Sequence, residues 1–197
     1  IFTPLGKLVG KSVVTQTAHV INTSKYTNLS EKGTANCYII PEPAFYMIKL
    51  CRGNENTPIQ GNLFPRHGFT DQENNVIILD GIIDEWLYFE VASNTPEFQN
   101  GNSIITVSDG NETVWSWHLW CNGSDAVNTL DNKLMSLTLG ASSSDSRGLF
   151  YQWGRKDPFS PIAGLKSFNE VSEPSTEEGI ANPNVFYSKW DATDGNW

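Results

Sequence analysis

At 197 residues the chain is long enough to bury a core of its own, and a 39% hydrophobic content with mean hydropathy −0.34 sets it apart from disordered chains. Thirteen Lys and Arg against 22 Asp and Glu leave a formal charge of −9, with no basic cluster, which argues against a nucleic-acid partner. No run approaches the roughly 18–20 apolar residues of a membrane helix, so no membrane-spanning segment is expected.

The chain opens Ile1-Phe2-Thr3-Pro4, without Met or a secretory leader, as a processed or excised chain would. Charged residues are sparse while Asn, Ser, Thr and Gly are abundant, a texture of exported, β-rich surface proteins. Helical periodicity is nearly missing. Short apolar or alternating runs recur between Gly, Asn, Asp and Pro, which predicts strands at Ser12–Ala18, Ala35–Ile40, Phe45–Leu50, Val76–Leu79, Glu85–Ala92, Ser103–Ser108 and Thr113–Trp120.

Cys37 and Cys51 flank two apolar runs around a Pro41-Glu42-Pro43 break. A hairpin centred near Ala44 would let these sulfurs meet in a disulfide worth about 3 kcal/mol. The alternative is that they are buried free thiols acting as small hydrophobes. Leu87, Phe89 and Val91 alternate with Trp86, Tyr88 and Glu90; both faces are largely apolar, which places this strand centrally in a β-sandwich. Asp109-Gly110 is a hairpin turn signal. Seven such strands predict a mainly β fold with a sandwich over residues 1–125.

The histidines are His19, His67 and His118, and no Gly-x-Ser-x-Gly elbow is present. His118 lies in "WSWHLWC", where a dyad with Cys121 competes with a structural imidazole satisfied by its neighbours. No catalytic residue is assigned and no cofactor is implied. Trp115 and Trp117 share a strand face, as sugar-stacking platforms or as core fillers. After Cys121 the character changes, and residues 158–183 read as one long loop. Asp191 and Asp194, in "DATDGN", resemble half of a calcium loop but lack its distal glutamate, so no metal is assigned. Asn22, Asn28, Asn111 and Asn122 head tripeptides that match the N-glycosylation pattern, as chains rich in Asn, Ser and Thr do by chance.

Four segments then occur in order: "GTANCYIIPEPAFYMIKLCRGN" (Gly33–Asn54), "VWSWHLW" (Val114–Trp120), "LGASS" (Leu139–Ser143) and "GLFYQWGRKDPF" (Gly148–Phe159). Together they resemble the C-terminal region of Bacteroides-type fimbrillin-associated surface proteins that carry the lectin-like Fibrobacter succinogenes major paralogous domain. The resemblance covers about residues 33–197. It implies a non-catalytic adhesin, or a fimbrial tip or accessory subunit. Such a protein would be exported, through a lipid-anchored precursor, to the bacterial cell surface, outer membrane or fimbrium.

Its partners would be other fimbrial or surface subunits joined by strand addition, and host or dietary glycans. By the same resemblance residues 126–197 begin an irregular lectin-like module that the chain leaves incomplete at its C-terminus. Where the family pattern reads Met-Asp-Arg-Asn-Leu-Gly-Ala, this chain reads Met135-Ser136-Leu137-Thr138-Leu139-Gly140-Ala141, without the acidic and basic members. The rival reading is a carbohydrate-binding module of a larger glycan-capture protein. In it Trp115, Trp117, Tyr151, Trp153 and Arg155 are the ligand candidates. The Gly148–Phe159 stretch is otherwise expected to be a packing hub, with Arg155 and Lys156 paired to Asp157 or capping a short helix.

Overall fold

The computed structural model describes residues 21–53, 56–70, 75–110, 112–122, 135–152, 156–158, 168–169, 175–183 and 185–187. A short 3-10 turn at Thr23–Lys25 leads into β1 (Thr27–Asn28), β2 (Cys37–Ile40), β3 (Ala44–Lys49), β4 (Cys51–Arg52) and β5 (Thr57–Pro58). Five longer strands follow: β6 (Leu63–Thr70), β7 (Asn75–Ile83), β8 (Trp86–Ser93), β9 (Gly101–Asp109) and β10 (Glu112–Cys121). Beyond them lie β11 (Phe168–Asn169), a helix α1 (Thr176–Ala181) and β12 (Phe186–Tyr187). The strand predicted at Ser12–Ala18 lies outside the described residues.

Two four-stranded sheets make the sandwich. One runs β1-β3-β8-β7 and the other β2-β10-β9-β6. Alternation explains the layering: Leu87, Phe89 and Val91 of the central strand β8 point inward, opposite Ile105 and Val107 of β9 and Trp117 and Leu119 of β10. On the other face of β8, Tyr88 is buried because Tyr26 crosses over it edge-on, ring centres 4.9 Å apart. Tyr26 also donates its hydroxyl to Asp80 of β7 at 2.6 Å, tying the N-terminal segment across that sheet. The β9–β10 hairpin turns at Gly110, whose φ of +68° is the left-handed value that the Asp109-Gly110 signal predicts.

Two differences from the sequence reading have plain causes. The Pro41-Glu42-Pro43 break is a crossover between sheets rather than a hairpin tip: β2 pairs in parallel with β10, and β3 pairs with β8. Cys37 and Cys51 therefore belong to different sheets, and both are free thiols, so the free-thiol alternative holds and the candidate disulfide between them does not form. β6 was missed because Pro65 and Gly68 break its pattern. As an edge strand it tolerates proline, and it bulges against β9 between His67 and Thr70.

Residues 139–152 and 156–158 lie over the outward face of the second sheet. The expected loop from 158 to 183 contains α1, started by a capping box in which Ser175 and Glu178 exchange hydrogen bonds. Ile180 of α1 packs against the core.

Candidate functional site

The strand β10 carries the candidates Trp115, Trp117, His118 and Cys121, and alternation divides them between two environments. Trp115 and Trp117 turn inward with Leu119 and Cys121 and are 8% and 0% exposed. Neither offers an open ring face to a sugar. Trp115 is further covered by cations, with Lys156 Nζ 4.6 Å and the Arg52 guanidinium 5.6 Å from its ring. Of the remaining ligand candidates, Tyr151 is 44% exposed, while Trp153 and Arg155 lie outside the described residues. The calcium candidates Asp191 and Asp194 also lie outside them. Among the described residues no three His, Cys, Asp or Glu side chains come together as a metal site would need.

The outward face of β10 carries Ser116, His118, Trp120 and Asn122, all buried. They are buried beneath residues 139–152 and 156–158, and none of their buried side-chain polar atoms is left without a partner. Trp120 Nε1 and Asn122 Nδ2 both donate to the carbonyl of Ala141, at 3.0 Å. Asn122 is thus committed to the interior, away from any glycan. Asn102 of β9 donates to the carbonyl of Gly140 at 2.9 Å. Gly148, with φ +76°, is the residue that lets the returning segment turn, since a side chain there would strike the carbonyl oxygen of Leu139.

Asp157, 3% exposed, sets its carboxylate oxygens 2.8 and 2.9 Å from Ser116 Oγ. Lys156 Nζ donates to the same carboxylate at 2.8 and 2.9 Å, to the Ser116 carbonyl at 2.9 Å, and to Ser116 Oγ. A buried carboxylate is tolerable only with such partners. The expected pairing of Lys156 with Asp157 is therefore observed, as a buried clamp that fastens residues 156–158 to β10.

His118, 3% exposed, has both ring nitrogens engaged: Nδ1 lies 3.2 Å from Cys37 Sγ, and Nε2 lies 2.8 Å from Asn102 Oδ1. Burial lowers its pKa to about 4, so the imidazole is neutral at physiological pH. Burial also raises the Cys37 thiol to about 12. The cysteine weighed as its partner, Cys121, points the other way into the core. The pairing with Cys37 was invisible in the sequence because it depends on β2 lying in parallel beside β10, in a register that sets Cys37 opposite His118.

A second feature lies at the opposite side of the sandwich. The edge strands of the two sheets, β6 and β7, border a groove of about 360 Å³ lined by Phe69, Thr70, Val76, Ile77 and Ile104. Among the described residues no strand pairs with the outer edge of either one. Phe64, Val76 and Ile78 stand exposed along these edges. Compared with protein-family models, curated proteins and solved structures, the chain matches none.

Proposed function

We propose that the chain is a non-catalytic cell-surface adhesin, or a fimbrial tip or accessory subunit, exported to the bacterial surface. It would join neighbouring subunits by strand addition along β6 and β7. The motif order from Gly33 to Phe159 supports the class of protein. The observation that carries the mode of joining is the pair of sheet edges with which no strand pairs among the described residues, bearing exposed Phe64, Val76 and Ile78 beside an apolar groove. Soluble proteins ordinarily blunt such edges with charge, proline or a covering segment. β6 carries Pro65 and Arg66, but β7 from Asn75 to Leu79 has no charge. An incoming strand would gain main-chain hydrogen bonds from β7 and place alternate side chains in the groove. The burial of Trp115 and Trp117 removes two of the aromatic platforms that a sugar-binding module would need.

The reading is tested by replacing Val76 and Ile78 with Lys in the producing bacterium. The expected result is a folded chain that no longer enters detergent-resistant surface assemblies. Unchanged assembly of the double variant would refute joining through β7.

A further inference from the structure

The N-terminal segment crosses the first sheet along one transverse row. β1 sets Asn28 beside Met47 of β3, Met47 pairs with Tyr88 of β8, and Tyr88 pairs with Gly81 of β7. Ile21 lies at the far end of that row: a side chain at Gly81 would begin 3.5 Å from its Cδ1. Between the two ends, the Tyr26 ring packs edge-on against Phe45 and Tyr88, and its hydroxyl donates to Asp80. The segment therefore runs at right angles to the strands. It adjoins β7, whose outer edge no strand pairs with among the described residues.

Just upstream of Ile21 is Ser12–Ala18, which the sequence predicts to be a strand. It carries no charge and is rich in Val and Thr, which suit a strand. A strand needs partners for its backbone groups, and the edge that Ile21 adjoins is that of β7. Its own β7, however, lies at right angles to the arriving chain. Only His19 and Val20 stand between Ala18 and Ile21, with none of the Gly, Asn, Asp or Pro that a tight turn favours. Reaching along the β7 of a neighbouring copy requires no such turn.

We propose that Ser12–Ala18 is a donor strand and that it pairs with β7 of a second copy of this chain. This rests on the reading of β7 as a joining edge, and it names what joins there. Charge favours the pairing. The chain carries −9 overall, but Ser12–Ala18 and the Asn75–Leu79 stretch of β7 are both uncharged, so the copies meet where no like charges are opposed. Val76 and Ile78, exposed on the outward face of β7, gain cross-strand neighbours from the added strand.

The root of the donor and the acceptor edge lie on the same strand, since Ile21 adjoins Gly81 of β7. Two copies related by a two-fold axis therefore each give a strand and each receive one. Such a reciprocal exchange closes at a dimer instead of growing without limit. The edge strand β6 of each copy stays free for a different subunit.

The full chain is followed by analytical ultracentrifugation over a range of concentrations, with hydrogen exchange measured in the dilute and concentrated states. The expected result is a dimer that dissociates on dilution. The amides of Ser12–Ala18 and of the outer edge of β7 should be slow together in the dimer and fast together in the monomer. Thr15→Pro removes a backbone donor from the middle of the strand. It should lose both the dimer and the protection of β7, while β8 exchanges as before. A chain that stays monomeric at every concentration would overturn the proposal. So would β7 amides already slow in the monomer, which would place the strand on its own chain. A dimer with β7 slowed and Ser12–Ala18 fast would overturn it too, yet leave joining through β7 standing with another donor. Fast β7 amides in every assembled state would refute that joining as well.

Discussion

The two faces of β10 differ by one residue in register and almost entirely in how they are held. Inward, Trp115, Trp117, Leu119 and Cys121 are stabilised by apolar area. Trp115 Nε1 and Trp117 Nε1 are buried without a hydrogen-bond partner among the described residues, so packing must outweigh that cost. Outward, Ser116, Trp120 and Asn122 are satisfied by Ala141, Lys156 and Asp157 of the returning segment, and His118 by Cys37 and Asn102 of the neighbouring strands. The inward face tolerates unmet polar groups but not lost volume. The outward face tolerates modest loss of volume but not a missing partner.

Substitutions on the two faces should therefore fail in different ways. Trp117→Ala, which opens a cavity at a fully buried position, should cost about 4 kcal/mol in urea denaturation. Asp157→Ala should cost about 3 kcal/mol, because it strands the Lys156 ammonium at a part-buried site. Adding Lys156→Met should recover much of that loss. If the double variant is no better than the single, the clamp is not the electrostatic unit described here.

Acid should act on the outward face through His118. His118 titrates near 6.5 in the unfolded chain and near 4 when folded, so below pH 6.5 the unfolded state binds the extra proton. The stability that comes from burying neutral imidazole is complete above pH 6.5 and lost as pH falls towards 4. The expected loss is about 3 kcal/mol, and it should vanish in a folded His118→Gln variant. The smallest effect is expected at the open edge: Val76→Lys should change the stability of the isolated chain by less than about 0.5 kcal/mol. A much larger loss would mean that Val76 is packed rather than exposed.

The same contrast explains what could be read from the sequence. Inward faces follow period-two alternation, so β3, β8, β9 and β10 fall within a residue or two of their predicted spans. Tyr88 was expected on a covered face, and it is covered. Polar partnerships have no period. Nothing local announces that Ser116 meets Asp157 or that His118 meets Cys37, because both contacts are made across sheet order and chain return. α1 had a local signal, Ser175 three residues before Glu178, that the surrounding Pro and Gly obscured. The open edge of β7 was beyond sequence reasoning, since edge or centre is decided by topology.

Hydrogen exchange at the amides of β7, compared between the isolated chain and the chain within its surface assembly, tests the proposed joining most directly. Strand addition predicts that alternate outward-facing amides from Asn75 to Ile83 exchange rapidly in the isolated chain and become protected in the assembly, while those of β8 are protected in both. Equal exchange of β7 in the two states would contradict it.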